Sequence, residues 1–291
     1  MARMRPQQAS DLPGDVWEQL TLMTNGDGQP YKLARVLLAS RLAWFHSLNP
    51  TWVEQYLLPF FDWNDSPEAL AVWRGYLWQA RITPELWPHI KTHFLAALRE
   101  KHRLGLSGEL ICQFFGAICV NRPDWLTTEE TQVALRSIDR DGRAIVARVV
   151  RKRLEGAGTQ SEALWTDQVG PWLDRVWPKD LAMRDPDTSL NLAMASTYAG
   201  NSFGTAVDGI APLLVGAEHY SLLVERLLDM RVAERDPGTV LRLIGLVVST
   251  DCQWPDPKLR ELLVQLQTAD AGLVAQPAFR ALDEYLRRHN L

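Results

Sequence analysis

Six times along the chain, a residue that can cap a helix stands directly before a proline: Asn49-Pro50, Ser66-Pro67, Thr83-Pro84, Asp185-Pro186, Asp236-Pro237 and Asp256-Pro257. The polar side chain can accept an N–H that the first helical turn leaves unpaired. Proline at the next position lacks an N–H that would have no partner there anyway, and its fixed φ suits a helix start. Each pair therefore reads as a start signal, and apolar residues at helical spacing follow each one.

That spacing is consistent. Leu110, Ile111, Phe114, Phe115 and Ile118 form two columns four residues apart. Leu222, Leu223, Leu227 and Met230 make one face, Leu259, Leu262, Leu263 and Leu266 another, and Phe279, Leu282, Tyr285 and Leu286 a third. No segment sustains the period-two alternation of a half-buried strand. The fold expected is all-α. Pro50, Pro67 and Pro84 stand 17 residues apart, so two steps make about 34 residues, the size of a helical hairpin repeat. The tetratricopeptide and ankyrin patterns are absent, which leaves a HEAT-like α-solenoid of stacked helix pairs, with a compact multi-helix bundle as the alternative. Turns are expected at 25–28, 139–142 and 155–158. None is long enough to link domains, so residues 1–291 read as one helical-repeat domain, with 1–30 as a loosely packed lead-in.

Composition narrows the function classes. A formal charge of −4 argues against bulk affinity for nucleic acid or anionic membranes. The start, Met1-Ala-Arg-Met-Arg-Pro6, leads into Gln7-Gln8 with no apolar run, so no signal peptide is expected. The greasiest stretch, 110–120, includes Gln113 and is too short to span a bilayer. Cys112, Cys119 and Cys252 are too few for a disulfide framework and read as small buried residues of a reducing compartment. A cytoplasmic protein is the expectation.

The sequence holds several patterns that could pose as chemistry. Gly200-Asn201-Ser202-Phe203-Gly204 matches G-x-S-x-G, but a nucleophile elbow needs a strand before the serine. The run 190–199 is helical in pattern, which makes Gly200 a helix end and Ser202 the cap of the next helix. His89 and His93 stand four apart, yet Ile90 occupies the place of a zinc-protease glutamate, and His102 falls on another face. Cys112 and Cys119 are too far apart along one helix to share a metal without further ligands. Asp62 and Asp65 precede a helix start, where carboxylates favour the positive end of the dipole. No glycine-rich phosphate loop occurs, so no cofactor and no metal site are expected.

The charged segment 140–153 carries Arg140, Arg143, Arg148, Arg151, Lys152 and Arg153 against the single acid Asp141. Ile145, Val146, Val149, Val150 and Leu154 supply its apolar face, which would leave most cations exposed. Arg143, Arg148, Arg151 and Lys152 are the candidate contact residues for an acidic partner. Binding of nucleic acid through helix 143–153 is the alternative, weakened by the lack of interleaved aromatics. Eight of the twelve tryptophans lie between Trp17 and Trp125. They read first as large knobs between helices. Their other reading is as sugar platforms in an all-helical carbohydrate-active enzyme with paired acids across a cleft.

Two stretches carry a resemblance. One is Leu58-Pro59-Phe60-Phe61-Asp62-Trp63, continuing through Glu68-Ala69-Leu70-Ala71-Val72-Trp73-Arg74-Gly75-Tyr76-Leu77-Trp78. The other is Pro171-Trp172-Leu173-Asp174-Arg175-Val176-Trp177-Pro178-Lys179-Asp180. Together they resemble the helical C-terminal region of bacterial sirtuin-domain proteins of anti-phage defence, from about Tyr31 onward. The resemblance implies an N-terminal sirtuin-type domain that acts on NAD, with the helical region sensing or assembling. No sirtuin domain is present in this chain, so it would be the C-terminal part of a longer protein or would work beside a separate enzyme. A non-enzymatic scaffold or sensor is the leading expectation, with a sirtuin-type effector domain or a phage protein as its partner.

Overall fold

In the computed structural model, which describes residues 12–64 and 66–291, all six polar–proline pairs make the bond their residue types imply. Asn49 accepts the Trp52 N–H at 2.9 Å, Asp185 that of Thr188 at 2.8 Å and Asp236 that of Thr239 at 3.2 Å. Asp256 accepts the Lys258 N–H at 2.8 Å. These four pairs open the helices Pro50–Tyr56, Pro186–Ser196, Pro237–Val247 and Pro257–Ala269. At Ser66 and Thr83 the same bond forms, to the N–H of Glu68 and of Leu86, both at 3.2 Å. There it closes a turn, and regular helix begins slightly later, at Ala69 and Trp87.

The fold is all α. Among the described residues no strand forms, and one isolated bridge joins Ala217 to Val248. The turn at 25–28 separates Gly14–Asn25 from Gln29–Ala39, and Gly28 supplies a φ of +95° there. Residues 139–142 do not make the expected turn. Asp139 instead caps the helix Arg140–Glu155, its Oδ1 accepting the Gly142 N–H at 2.8 Å.

The chain divides into two compact units, 1–112 and 113–291, where the sequence pattern suggested one continuous domain. The first unit has an aromatic centre. Trp73 is fully buried, with its ring edge-on to Phe61 at 5.0 Å, Tyr76 at 5.6 Å and Phe94 at 6.3 Å. Its Nε1–H donates to the Phe61 carbonyl at 2.9 Å. Helices Gln29–Ala39 and Ala69–Trp78 pack closely because Gly75 has no side chain; a Cβ there would stand 2.6 Å from the Val36 carbonyl oxygen. Residues 1–11 lie outside the described residues, but 12–30 are no loose lead-in. Helix Gly14–Asn25 is docked through Trp17, 5.1 Å from Trp52 and 6.3 Å from Phe45, and Thr21 Oγ1 accepts the Trp52 indole N–H at 2.8 Å.

The second unit is built around Pro186–Ser196. Thr188, Ser189 and 192–196 are all buried, so this helix is enclosed on most sides. Its Ala and Ser residues let Arg140–Glu155 pack along it more extensively than any other helix pair in the chain. Two of the buried hydroxyls keep partners: Ser189 Oγ donates to the Asp185 carbonyl at 2.8 Å and accepts the Val215 N–H at 2.9 Å, and Ser196 Oγ donates to the Ala193 carbonyl at 2.8 Å, whereas Thr188 Oγ1 has none. Helices Ser221–Asp229, Pro237–Val247, Pro257–Ala269 and Pro277–Arg288 complete the unit. The faces at 259–266 and 279–286 are buried as their spacing predicts. On Ser221–Asp229 the buried face is Leu223, Val224 and Leu227, while Leu222 is 61% exposed.

Candidate functional site

The basic helix Arg140–Glu155 turns Ile145, Val146, Ala147, Val150 and Leu154 into the second unit. Arg143 shares that face, four residues before Ala147, and is 7% exposed. Its Nη1 donates to the Ile138 carbonyl at 2.7 Å, across the helix start. Arg143 is therefore a structural residue, and the expectation that it belongs to an exposed contact face is corrected. Arg151 is half-buried, with its Nε enclosed. Arg148 and Lys152 are exposed one turn apart, and neither pairs with a carboxylate among the described residues. Arg153 is exposed and donates to Asn121 Oδ1 at 3.0 Å. Beyond the helix end, Arg153, Gln160, Leu164, Asp167 and Gln168 line a hollow of about 400 Å³.

A second feature lies where Ser161–Leu164 runs into a π-helical turn, Trp165–Val169, before continuing as Gly170–Val176. Such wide turns are rare and recur at functional sites. Beside it is a mainly apolar cavity of about 490 Å³, lined by Trp165, Pro171, Leu173, Ala206 and Ile210. Thr166, Ser202 and Asp174 are at its wall. Ser202, the serine of G-x-S-x-G, stands 3.4 Å from the Thr166 hydroxyl. It follows a helical turn rather than a strand, so the elbow geometry is missing. Lys179 Nζ, 2.6 Å from Asp174, holds that carboxyl below its ordinary value.

The histidines meet in a way the sequence spacing does not show. His89 pairs with His46, from helix Leu42–Leu48, rather than with His93; the two rings lie 5.3 Å apart. His89 Nδ1 is 3.1 Å from Glu54 Oε1, on helix Pro50–Tyr56. His46 is 4% exposed, and its Nε2 has no hydrogen-bond partner. One donor atom from each of His46, Glu54 and His89 lies within 4.8 Å of the others. Burial, reinforced by the neighbouring His89, lowers the His46 pKa, which favours the neutral ring. No local motif marks this group, because its members come from three helices.

Other sequence candidates resolve as structure. Asp62 Oδ1 accepts the Asn64 N–H at 2.8 Å, and Asp65 lies outside the described residues. Cys112, Cys119 and Cys252 are buried and form no disulfide among the described residues, and burial pushes the Cys119 thiol up. Trp52, Trp73, Trp87, Trp165, Trp172 and Trp177 are buried, whereas Trp44, Trp78 and Trp254 are exposed. Trp254 shares a hollow of about 640 Å³ with Glu218, His219 and Asp251. Among the described residues, no helix is long and apolar enough to cross a membrane.

No family model matches the chain. No solved structure matches it. Over 169 residues it is 27% identical to the Uncharacterized protein y4cA of Sinorhizobium fredii (strain NBRC 101917 / NGR234). That match takes in 57% of this chain but only 13% of the relative, so the chain is similar to a small part of a much longer bacterial protein.

Proposed function

We propose that this chain is a non-catalytic helical interaction module that docks an acidic segment of a protein partner against Arg148 and Lys152. The observation that carries this reading is the pair itself: two exposed cations one turn apart, neither of them ion-paired to a carboxylate among the described residues. Like charges at this spacing repel, so the arrangement costs the isolated chain a little and gains only when a counter-charge arrives. A HEAT-like stacking of helix pairs is part of the proposal, supported by the all-α packing. The partner proposed is a sirtuin-type, NAD-consuming effector of anti-phage defence, with the NAD chemistry outside this chain. A phage protein is the other partner the sensor role allows. The two Trp/Pro stretches support that setting, and three cysteines that form no disulfide among the described residues support a cytoplasmic one.

The test is a titration of a labelled sirtuin-domain protein from the same host with the purified chain. Binding should be saturable and weaken with salt, and the double variant Arg148→Glu/Lys152→Glu should lower affinity by about tenfold or more. Unchanged affinity in that variant would remove the basic face from the proposal. Retardation of duplex DNA, lost steeply with salt, would favour nucleic acid instead.

A second reading rests on the hollow that gathers Trp254, Glu218 and Asp251. An exposed indole beside two acids is the combination a carbohydrate-active site would use. Hydrolysis of an aryl glycoside panel that Glu218→Gln abolishes would support it.

A further inference from the structure

We propose that His46, His89 and Glu54 form a binding site for a divalent transition metal ion, with Zn²⁺ best suited to the donor set. Three helices converge to make it. Asn49 caps Pro50–Tyr56, which sets Glu54 two helical positions after the buried Trp52. His46 sits in the last turn of Leu42–Leu48, and His89 in the first turn of Trp87–Arg99, whose buried Trp87, Ile90 and Phe94 anchor it.

The unpartnered His46 Nε2 is the observation that points to a ligand. A buried ring nitrogen normally finds a partner, and the His46 ring brings one of its nitrogens to within 4.8 Å of donors from Glu54 and His89. Two donors bound to one tetrahedral zinc at about 2.0–2.1 Å stand roughly 3.4 Å apart. His89 Nδ1 and Glu54 Oε1 already meet that spacing at 3.1 Å. No separation in the group exceeds 4.8 Å, so closure needs a shift of at most about an ångström and a half. His89 and Glu54, 38% and 44% exposed, have room to make it, while His46 is held in place.

Two imidazoles and one carboxylate exclude the hard cations Mg²⁺ and Ca²⁺, which take oxygen donors, and suit zinc or its neighbours. Three protein donors also leave a fourth tetrahedral position for water or for a donor from a partner. The ion reaches the site from solvent on the Glu54 and His89 side. His93, four residues on, is not among the three donors.

The experiment uses the full chain without an affinity tag, stripped by dialysis against a chelator. Zn²⁺ is then titrated in competition with a chromophoric chelator, and Co²⁺ binding is followed by its visible absorption. We expect one equivalent of either ion, a higher unfolding midpoint in its presence, and no competition from Mg²⁺. Glu54→Gln and His89→Gln change exposed side chains, so both variants should fold as the parent does. Each should weaken Zn²⁺ binding by more than the roughly 10–100-fold that an outer-shell group is worth. His93→Gln should leave affinity unchanged. The proposal is overturned if the stripped chain takes up no ion from the chelator. It is equally overturned if Glu54→Gln and His89→Gln bind as tightly as the parent, or if His93→Gln abolishes binding.

Discussion

Arg35 and Glu68, 33 residues apart, face each other through two parallel bonds: Nε to Oε2 at 2.8 Å and Nη2 to Oε1 at 2.7 Å. Both side chains are largely buried, and Arg35 also lies over the Phe60 ring at 4.7 Å. Its Nη1 donates to the carbonyls of Thr24 and Gly26, at 2.8 and 3.0 Å, at the end of helix Gly14–Asn25. One guanidinium thus closes the end of one helix and joins a second to the residue just before a third. Arg35→Ala would strand a buried carboxylate and two helix-end carbonyls. It should destabilise the first unit by about 3–5 kcal/mol, measured by denaturant unfolding.

The same pair makes stability depend on acid. Arg35 holds the Glu68 carboxyl below its ordinary value of 4.5. A carboxylate whose pKa is lower folded than unfolded contributes stability above its unfolded value, and this is lost as pH falls through the folded one. The parent chain should therefore exceed Glu68→Gln in unfolding midpoint at neutral pH. The gap should narrow as pH drops below 4.5. A gap that stays constant through that range would show that Glu68 contributes nothing by its charge.

Gly75 is where helix Ala69–Trp78 lies against Val36 of helix Gln29–Ala39. A methyl group there would overlap the Val36 Cγ1 and carbonyl oxygen, both at 2.6 Å, and the carbonyl is backbone that cannot rotate away. Gly75→Ala should cost about 1–3 kcal/mol despite the better helix propensity of alanine. A stabilised variant would mean that the two helices separate readily.

On the basic helix, neighbours in sequence should behave oppositely. Arg143→Met removes the bond to the Ile138 carbonyl inside the second unit and should cost about 1–3 kcal/mol. Arg148→Glu changes an exposed side chain and should stay within about 0.5 kcal/mol of the parent. Thermal unfolding of the two variants, beside partner binding by Arg148→Glu, separates fold from recognition on one helix.

These contrasts follow the division between local and distant information. The cap bonds at 49, 66, 83, 185, 236 and 256 and the buried faces at 259–266 and 279–286 were legible from residue order. Each depends on groups no more than four residues apart. Legibility failed where a helix's surroundings chose between adjacent positions. Leu222 and Arg143 both sit at the edge of an apolar stripe, and packing left the leucine exposed and buried the arginine. Likewise Asp139 looked like part of a turn, because a polar run with glycine serves either a turn or a helix start.

The candidate sites were less legible still, since residues far apart in the chain make them. Nothing near His89 in sequence announces His46, and nothing near Ser202 announces Thr166. The sequence by itself determined that this chain is helical, where many helices begin and which faces are apolar, because capping and periodicity act within one turn. Only the tertiary structure decided which helices meet, and with that which cations stay free and which histidines share a site. Those outcomes depend on how side-chain volumes fit across helices, as Gly75 against Val36 shows, and that fit is not written in any local pattern.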